Sequence, residues 1–198
     1  NLHRAYDGIR PKEPDHARLQ AWANGETGLP FLDACMRSVR APGWLNFRMR
    51  AMLVSVSSYH LWLHWRRPAI YLARWFLDFE PGIHFSQFQM QSGTTGINTV
   101  RIYSPAKQVL DQDPEGMFLR EWLPELRRVP KKFLAEPHTM DAATQAEARC
   151  RIGKDYPAPI VDHRTAYQAA RQRIHGVKYS KEGRELAAQV MQRHGSRK

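Results

Sequence analysis

The chain has 198 residues, of which 42% are hydrophobic and 25% charged, the composition of a globular protein long enough to bury a real apolar core. No apolar run approaches the roughly 18 residues of a membrane-spanning helix, and two cysteines, Cys35 and Cys150, exclude a disulfide scaffold and suit a reducing, cytoplasmic compartment. Thirty Lys and Arg against nineteen Asp and Glu give a net charge of +11, which favours a polyanionic partner, although part of that excess lies in the tail, residues 164–198. The opening NLHRAYDGIR lacks the apolar centre of a secretory signal and a starting methionine, so a processed or truncated chain is expected.

In chain order the elements read as helices. Leu29, Leu32, Met36 and Val39 share one helical face, with Thr27 and Gly28 before it and Pro30 in the first turn. A long helix is predicted from about Trp44 to His64, striped by Leu45, Met49, Met52, Val56, His60 and Leu63. The next starts at Pro68 and carries Ile70, Leu72, Ala73, Phe76 and Leu77. Residues 81–108 resist assignment: they are polar and rich in Gly, Ser, Thr and Gln, yet contain Ile83, Phe85, Phe88, Met90, Ile97 and Ile102. A loop of that length inside a compact domain is expected to be ordered and to build a site. Asp113-Pro114-Glu115 reads as a helix start, with Phe118, Leu119 and Trp122 following and Pro124 ending the helix. Residues 124–162 are punctuated by prolines and read as extended chain and short turns; the tail offers helices at about 164–175 and 181–194. Strand-like alternation is nearly absent, and no linker stands out, so one all-α domain over 1–198 is expected.

The familiar catalytic signatures are missing: no G-x-G-x-x-G, Walker loop, H-E-x-x-H or G-x-S-x-G occurs. His60 and His64 stand at i and i+4 with no third ligand near, which reads as structural, and no metal is expected. Cys35, on an apolar helix face, reads as a small core residue. SGTTG at 92–96 resembles a phosphate loop only weakly, because no lysine or helix start follows it.

Seven collinear segments are more specific. They are W-A-N-G-E-T-G-L-P-F-L-D-A-C-M-R (22–37), G-W-L-N-F-R-M-R (43–50), H-W-R-R-P (64–68), W-F-L-D-F-E (75–80), R-I-Y-S-P-A-K-Q (101–108), D-P-E-G-M-F-L-R-E-W-L-P-E-L (113–126) and D-Y-P-A-P-I-V-D-H (155–163). Together they resemble the photolyase/cryptochrome family over residues 20–165. The resemblance implies the later part of that family's helical FAD-binding domain, without its α/β antenna domain and without the early helical segment that grips the FAD phosphates.

For individual residues the resemblance implies the following. Arg50 and Asp78 match a salt-bridged pair over the flavin ring; read from the residues alone, they are an ordinary buried ion pair. Glu80 matches an acid accepting a hydrogen bond from the ring, Phe79 lies between the acids, and Trp22 matches a tryptophan packed near the cofactor. Arg48 matches an arginine on DNA phosphate, and Arg101 and Gln108 match other DNA-side positions. On a helix Arg48 and Arg50 point roughly 200° apart, so one can face inward and the other outward.

The departures are as informative. His84 stands where relatives place an amide, cysteine or acid facing the flavin, which would make flavin chemistry pH-dependent. Phe47 replaces an asparagine near flavin and lesion, and Ala51 a neighbouring methionine. Met90 replaces the lesion-stacking tryptophan. Phe88 replaces the first tryptophan of the photoreduction relay, Trp65 matches its second, and Tyr59, Trp62 and Trp75 offer either a detour or plain core packing. The implied function is a blue-light-driven, FAD-dependent photolyase acting on ultraviolet-damaged DNA, its site completed by a missing N-terminal part of the same protein. The alternatives are a non-repairing cryptochrome-type photoreceptor and a flavin-free helical DNA-binding fragment.

Overall fold

The computed structural model describes residues 1–194, and among them it shows helices and no strand, only a single bridge between Ile152 and Tyr156. The helices are α1 (His16–Asn24), α2 (Pro30–Val39), α3 (Phe47–Ser55), α4 (Arg66–Ala73), α5 (Pro81–Gln91), α6 (Pro105–Gln112), α7 (Met117–Trp122), α8 (Ala142–Ala148), α9 (His163–Tyr179) and α10 (Lys181–His194). None is long and apolar enough to cross a membrane. α2 is the centre: nearly every residue on it is buried, and it packs against α1, α3, α6 and α7. Pro30 in its first turn and the Leu29–Val39 stripe explain both its start and its burial. Cys35 is fully buried within it.

A carboxylate knots two distant segments to this core. Asp33 accepts hydrogen bonds from Thr27 N, Thr27 Oγ1, Gly28 N and the Tyr156 hydroxyl, the last at 2.6 Å. Burial pushes its pKa up to about 6, against the hydrogen bonds from Thr27 and Tyr156. Gly28 is required here: its φ is +73°, and a Cβ would stand 2.5 Å from the Ala158 carbonyl. Segments 22–37 and 155–163 therefore close on each other, and Ile160 N donates to the Thr27 carbonyl.

The long helix expected from Trp44 to His64 is broken. Asn46 caps α3 by accepting from Met49 N, so the helix starts at Phe47. It ends in one wide turn, Val56–His60, in which Leu61 N reaches back to the Val56 carbonyl. The cause is Arg10. This arginine is 2% exposed, with no carboxylate against it; its Nε donates to the Ser58 carbonyl at 2.8 Å and its Nη2 to the Ser92 carbonyl at 3.0 Å. The wider turn frees the Ser58 carbonyl for that bond. The guanidinium also lies over the rings of Tyr59 and Trp62, and Arg173 of α9 covers Trp62 as well. Trp62 takes a left-handed backbone, φ +55°, and leaves the helical path. His60 is buried and His64 stacks on Trp65, so the two histidines act separately, and no metal-binding group of His, Cys, Asp and Glu occurs among the described residues.

Residues 81–108 resolve into two helices. Glu80 caps α5 and Pro81 opens it; Ser104 caps α6 and Pro105 opens it. The signals were present in the sequence, but the polar helix faces concealed them. The SGTTG turn between them is folded inward: Ser92, Thr94 and Thr95 are buried, and the Thr94 hydroxyl donates to the Gln89 carbonyl. α7 begins at Met117, later than Asp113-Pro114 suggests, because Gly116 turns left-handed; Asp113 still caps it, accepting from Phe118 N and Leu119 N. α4 begins at Arg66, two residues before Pro68, and α9 extends to Tyr179, beyond the expected end at 175.

Candidate functional site

A cavity of about 200 Å³ opens between α3, the 74–80 loop and α5. The loop is held by Gly43. Its carbonyl accepts from Leu77 N at 2.9 Å, and a Cβ there would meet Leu77 Cγ at 2.6 Å and the Trp75 carbonyl at 2.9 Å. That close approach sets Asp78 opposite Arg50 on α3. Arg50 Nη2 donates to Asp78 Oδ2 at 2.9 Å, its Nε donates to the Leu45 carbonyl at 2.7 Å, and its plane lies 4.2 Å over the Phe76 ring. Two hydrogen bonds at its edge and a ring against its face orient the guanidinium. The pair is not buried as an ordinary core ion pair would be: the Asp78 side chain is 50% exposed and that of Arg50 26%. The hydrogen bond from Arg50 holds Asp78 below the usual carboxylate range.

α5 forms the facing wall. Residues 80, 83, 84, 87, 88 and 91 lie along one helical face and all line the cavity. His84 stands among Phe76, Phe79, Phe85 and Phe88, with ring centroids 4.8 to 5.9 Å away. Its Nε2 donates to the Ala69 carbonyl at 2.8 Å, leaving Nδ1 as the ring's free acceptor. Burial lowers its pKa, with the bond to the Ala69 carbonyl acting the other way. Glu80, expected as a hydrogen-bond acceptor for a ring, already accepts from Gly82 N and Ile83 N as the cap of α5. Gln87 has its Oε1 buried with no partner.

Of the residues singled out by sequence, Phe47, Arg50, Ala51, Asp78, Phe79, Glu80, His84 and Phe88 converge on this cavity. Others do not. Trp22 is fully buried, its indole donating to the Leu53 carbonyl, and it does not line the cavity. Trp65 donates to Asn1 Oδ1 and stacks on His64. Met90 and Arg101 line a neighbouring cavity, which meets the first at Gln91. Arg48 is exposed, and Gln108 is buried with its Oε1 unpartnered, so it does not present the amide to a surface ligand. Sequence reasoning missed Phe76, Ile83, Gln87 and Gln91; reading α5 from Pro81 at helical period would have found the last three. A larger, open trough of about 790 Å³ along α9 gathers His60, Glu136, His163, Arg171 and His175, none of them among the residues expected to bind.

Residues 1–176 match the family described as the FAD binding domain of DNA photolyase. The chain belongs to that family. It is 35% identical over 151 residues to the deoxyribodipyrimidine photo-lyase of Alkalihalophilus pseudofirmus, covering 75% of this chain and 32% of that protein. Among solved structures, a bacterial class III photolyase from Agrobacterium tumefaciens superposes with a TM-score of 0.83 at 28% identity, covering 91% of this chain and 38% of the other. The cryptochrome of Synechocystis sp. PCC6803 gives 0.77 at 29%, over 82% and 34%. The chain thus spans about a third of the length of these relatives, and its family and all-α fold are those the seven segments implied.

The photolyase-family cavity suits one end of FAD. Phe47, Phe76, Phe79 and Phe88 supply flat apolar walls, Arg50 a cationic edge, and Gln87 an unpaired amide, which together match a planar polar heterocycle. At about 200 Å³ the space is smaller than the ~300–1,000 Å³ of ordinary ligand pockets, a size that suits a ring better than a whole dinucleotide.

Proposed function

We propose that this chain carries the flavin-ring end of the FAD site in a light-driven DNA photolyase. The observation that carries the reading is the Arg50–Asp78 pair, fixed at 2.9 Å across the mouth of an aromatic cavity by a glycine, a ring and a backbone carbonyl. FAD, when bound and reduced, supplies a light-excited electron that splits a pyrimidine dimer. The chain's own part is binding, orientation and electrostatics. The Arg50 guanidinium places a fixed positive edge beside the ring, favouring negative charge there, while Asp78 keeps that edge from turning away. Phe47 and Ile83 are more than half exposed at the rim, offering an apolar surface for a base flipped out of the duplex. Arg48 and Arg101 are exposed cations suited to phosphates.

A second reading, a cryptochrome-type photoreceptor, draws on Met90 and Gln108. The first faces a neighbouring cavity and the second is buried, so two positions implied on the lesion and DNA side do not contribute to this site. An absorption spectrum and a repair assay on the intact protein separate the readings. A yellow protein that restores ultraviolet-damaged DNA under blue light supports the photolyase. A yellow protein that does not restore it supports the photoreceptor, and a colourless one the flavin-free DNA-binding fragment.

A further inference from the structure

The polar groups around the cavity differ in what they have left to offer. Asp78 is committed to Arg50, and Arg50 also to the Leu45 carbonyl. Both Glu80 oxygens accept from the first turn of α5. His84 gives its Nε2 proton to the Ala69 carbonyl and keeps only an acceptor. Gln87, one turn along α5 from His84, lines the same cavity, and its amide oxygen is buried and meets no donor. An unsatisfied buried amide is costly, and rotating the amide by half a turn exchanges an orphaned acceptor for orphaned donors without removing the deficit.

We infer that Gln87 is the specificity-determining polar contact of this cavity: its amide hydrogen-bonds the polar edge of the bound heterocycle. The inference rests on the flavin reading and refines it. The residues expected to bond the ring, Glu80 and His84, are a helix cap and an acceptor-only imidazole, whereas the Gln87 amide both donates and accepts. Such a group favours a ring whose edge carries a carbonyl beside an N–H, as a flavin's does, over an apolar aromatic of equal size.

The test is Gln87→Met, which keeps the length of the side chain and removes the amide. Titration with FAD and with lumiflavin is expected to show about tenfold weaker binding than wild type, with a melting temperature of the ligand-free variant equal to or above wild type, because the orphan has gone. A merely structural Gln87 gives the opposite split, in which the melting temperature falls and ligand affinity stays. Equal affinity in the two proteins overturns the inference and leaves the flavin reading standing; a wild type that binds neither ligand overturns both. Should Gln87→Met not fold, the side-chain NH₂ resonances of Gln87 in the wild type decide. They must shift on adding FAD, and unmoved resonances overturn the role.

Discussion

Arg50 and Arg10 stand at opposite ends of the rod formed by α3 and its terminal wide turn, and they are held in opposite ways. Arg50 is about a quarter exposed, paired with a carboxylate and laid on one ring. Arg10 is buried, unpaired by any acid, and held by two carbonyls and two rings. Burial pushes the Arg10 pKa down to about 10, which still leaves it charged at neutral pH. The charge at the cavity mouth is kept near solvent and steered by a carboxylate. A charge that fixes the chain path is sealed among groups that cannot leave.

Four experiments probe that contrast. Arg10→Met removes the donor to Ser58 and Ser92 and strands two buried carbonyls; a loss of about 3 kcal/mol is expected in denaturant unfolding, together with loss of the wide turn. His60, in that same turn, is buried with both ring nitrogens unpartnered, and burial lowers its pKa to about 4. Its unfolded pKa is near 6.5, so the unfolded chain binds the proton first. Stability contributed by the neutral ring is intact above about pH 7 and falls by ~3 kcal/mol toward pH 4. His60→Leu should flatten that slope in unfolding curves taken across the range. At the other end, Asp78→Asn should change stability by under about 1 kcal/mol, since the pair is solvent-screened, yet lower flavin retention measured after gel filtration. Retention unchanged alongside a large stability loss would reverse the assignment of the two arginines. The smallest effect is expected at Arg48→Ala: DNA binding weakens evenly across sequences, and the slope of log K against log salt falls by about 1.

How much of this was legible differs by element. α2 was legible because its stripe, its proline and its burial agree. The break after α3 was not: the side chain bound there is an arginine 48 residues upstream. α5 was hidden by its glutamines and serine, though Glu80-Pro81 announced its start. In the cavity, the Arg50–Asp78 pair was reachable only through the family resemblance, since 28 residues separate partners that Gly43 and Leu77 bring together. The bond from His84 to the Ala69 carbonyl joins groups 15 residues apart and could not be read from residue identity, whereas the capping role of Glu80 is local to Pro81 and the turn after it.

The indole of Trp62 is clamped between Arg10 and Arg173, each guanidinium carbon 4.6 Å from the ring centroid. Two positive charges at that range raise the energy of a radical cation on the indole, so removing an electron from it is harder than from an unflanked tryptophan. A hole on Trp62 is thus disfavoured by its own surroundings, and the same two charges that pin the ring in place set that penalty.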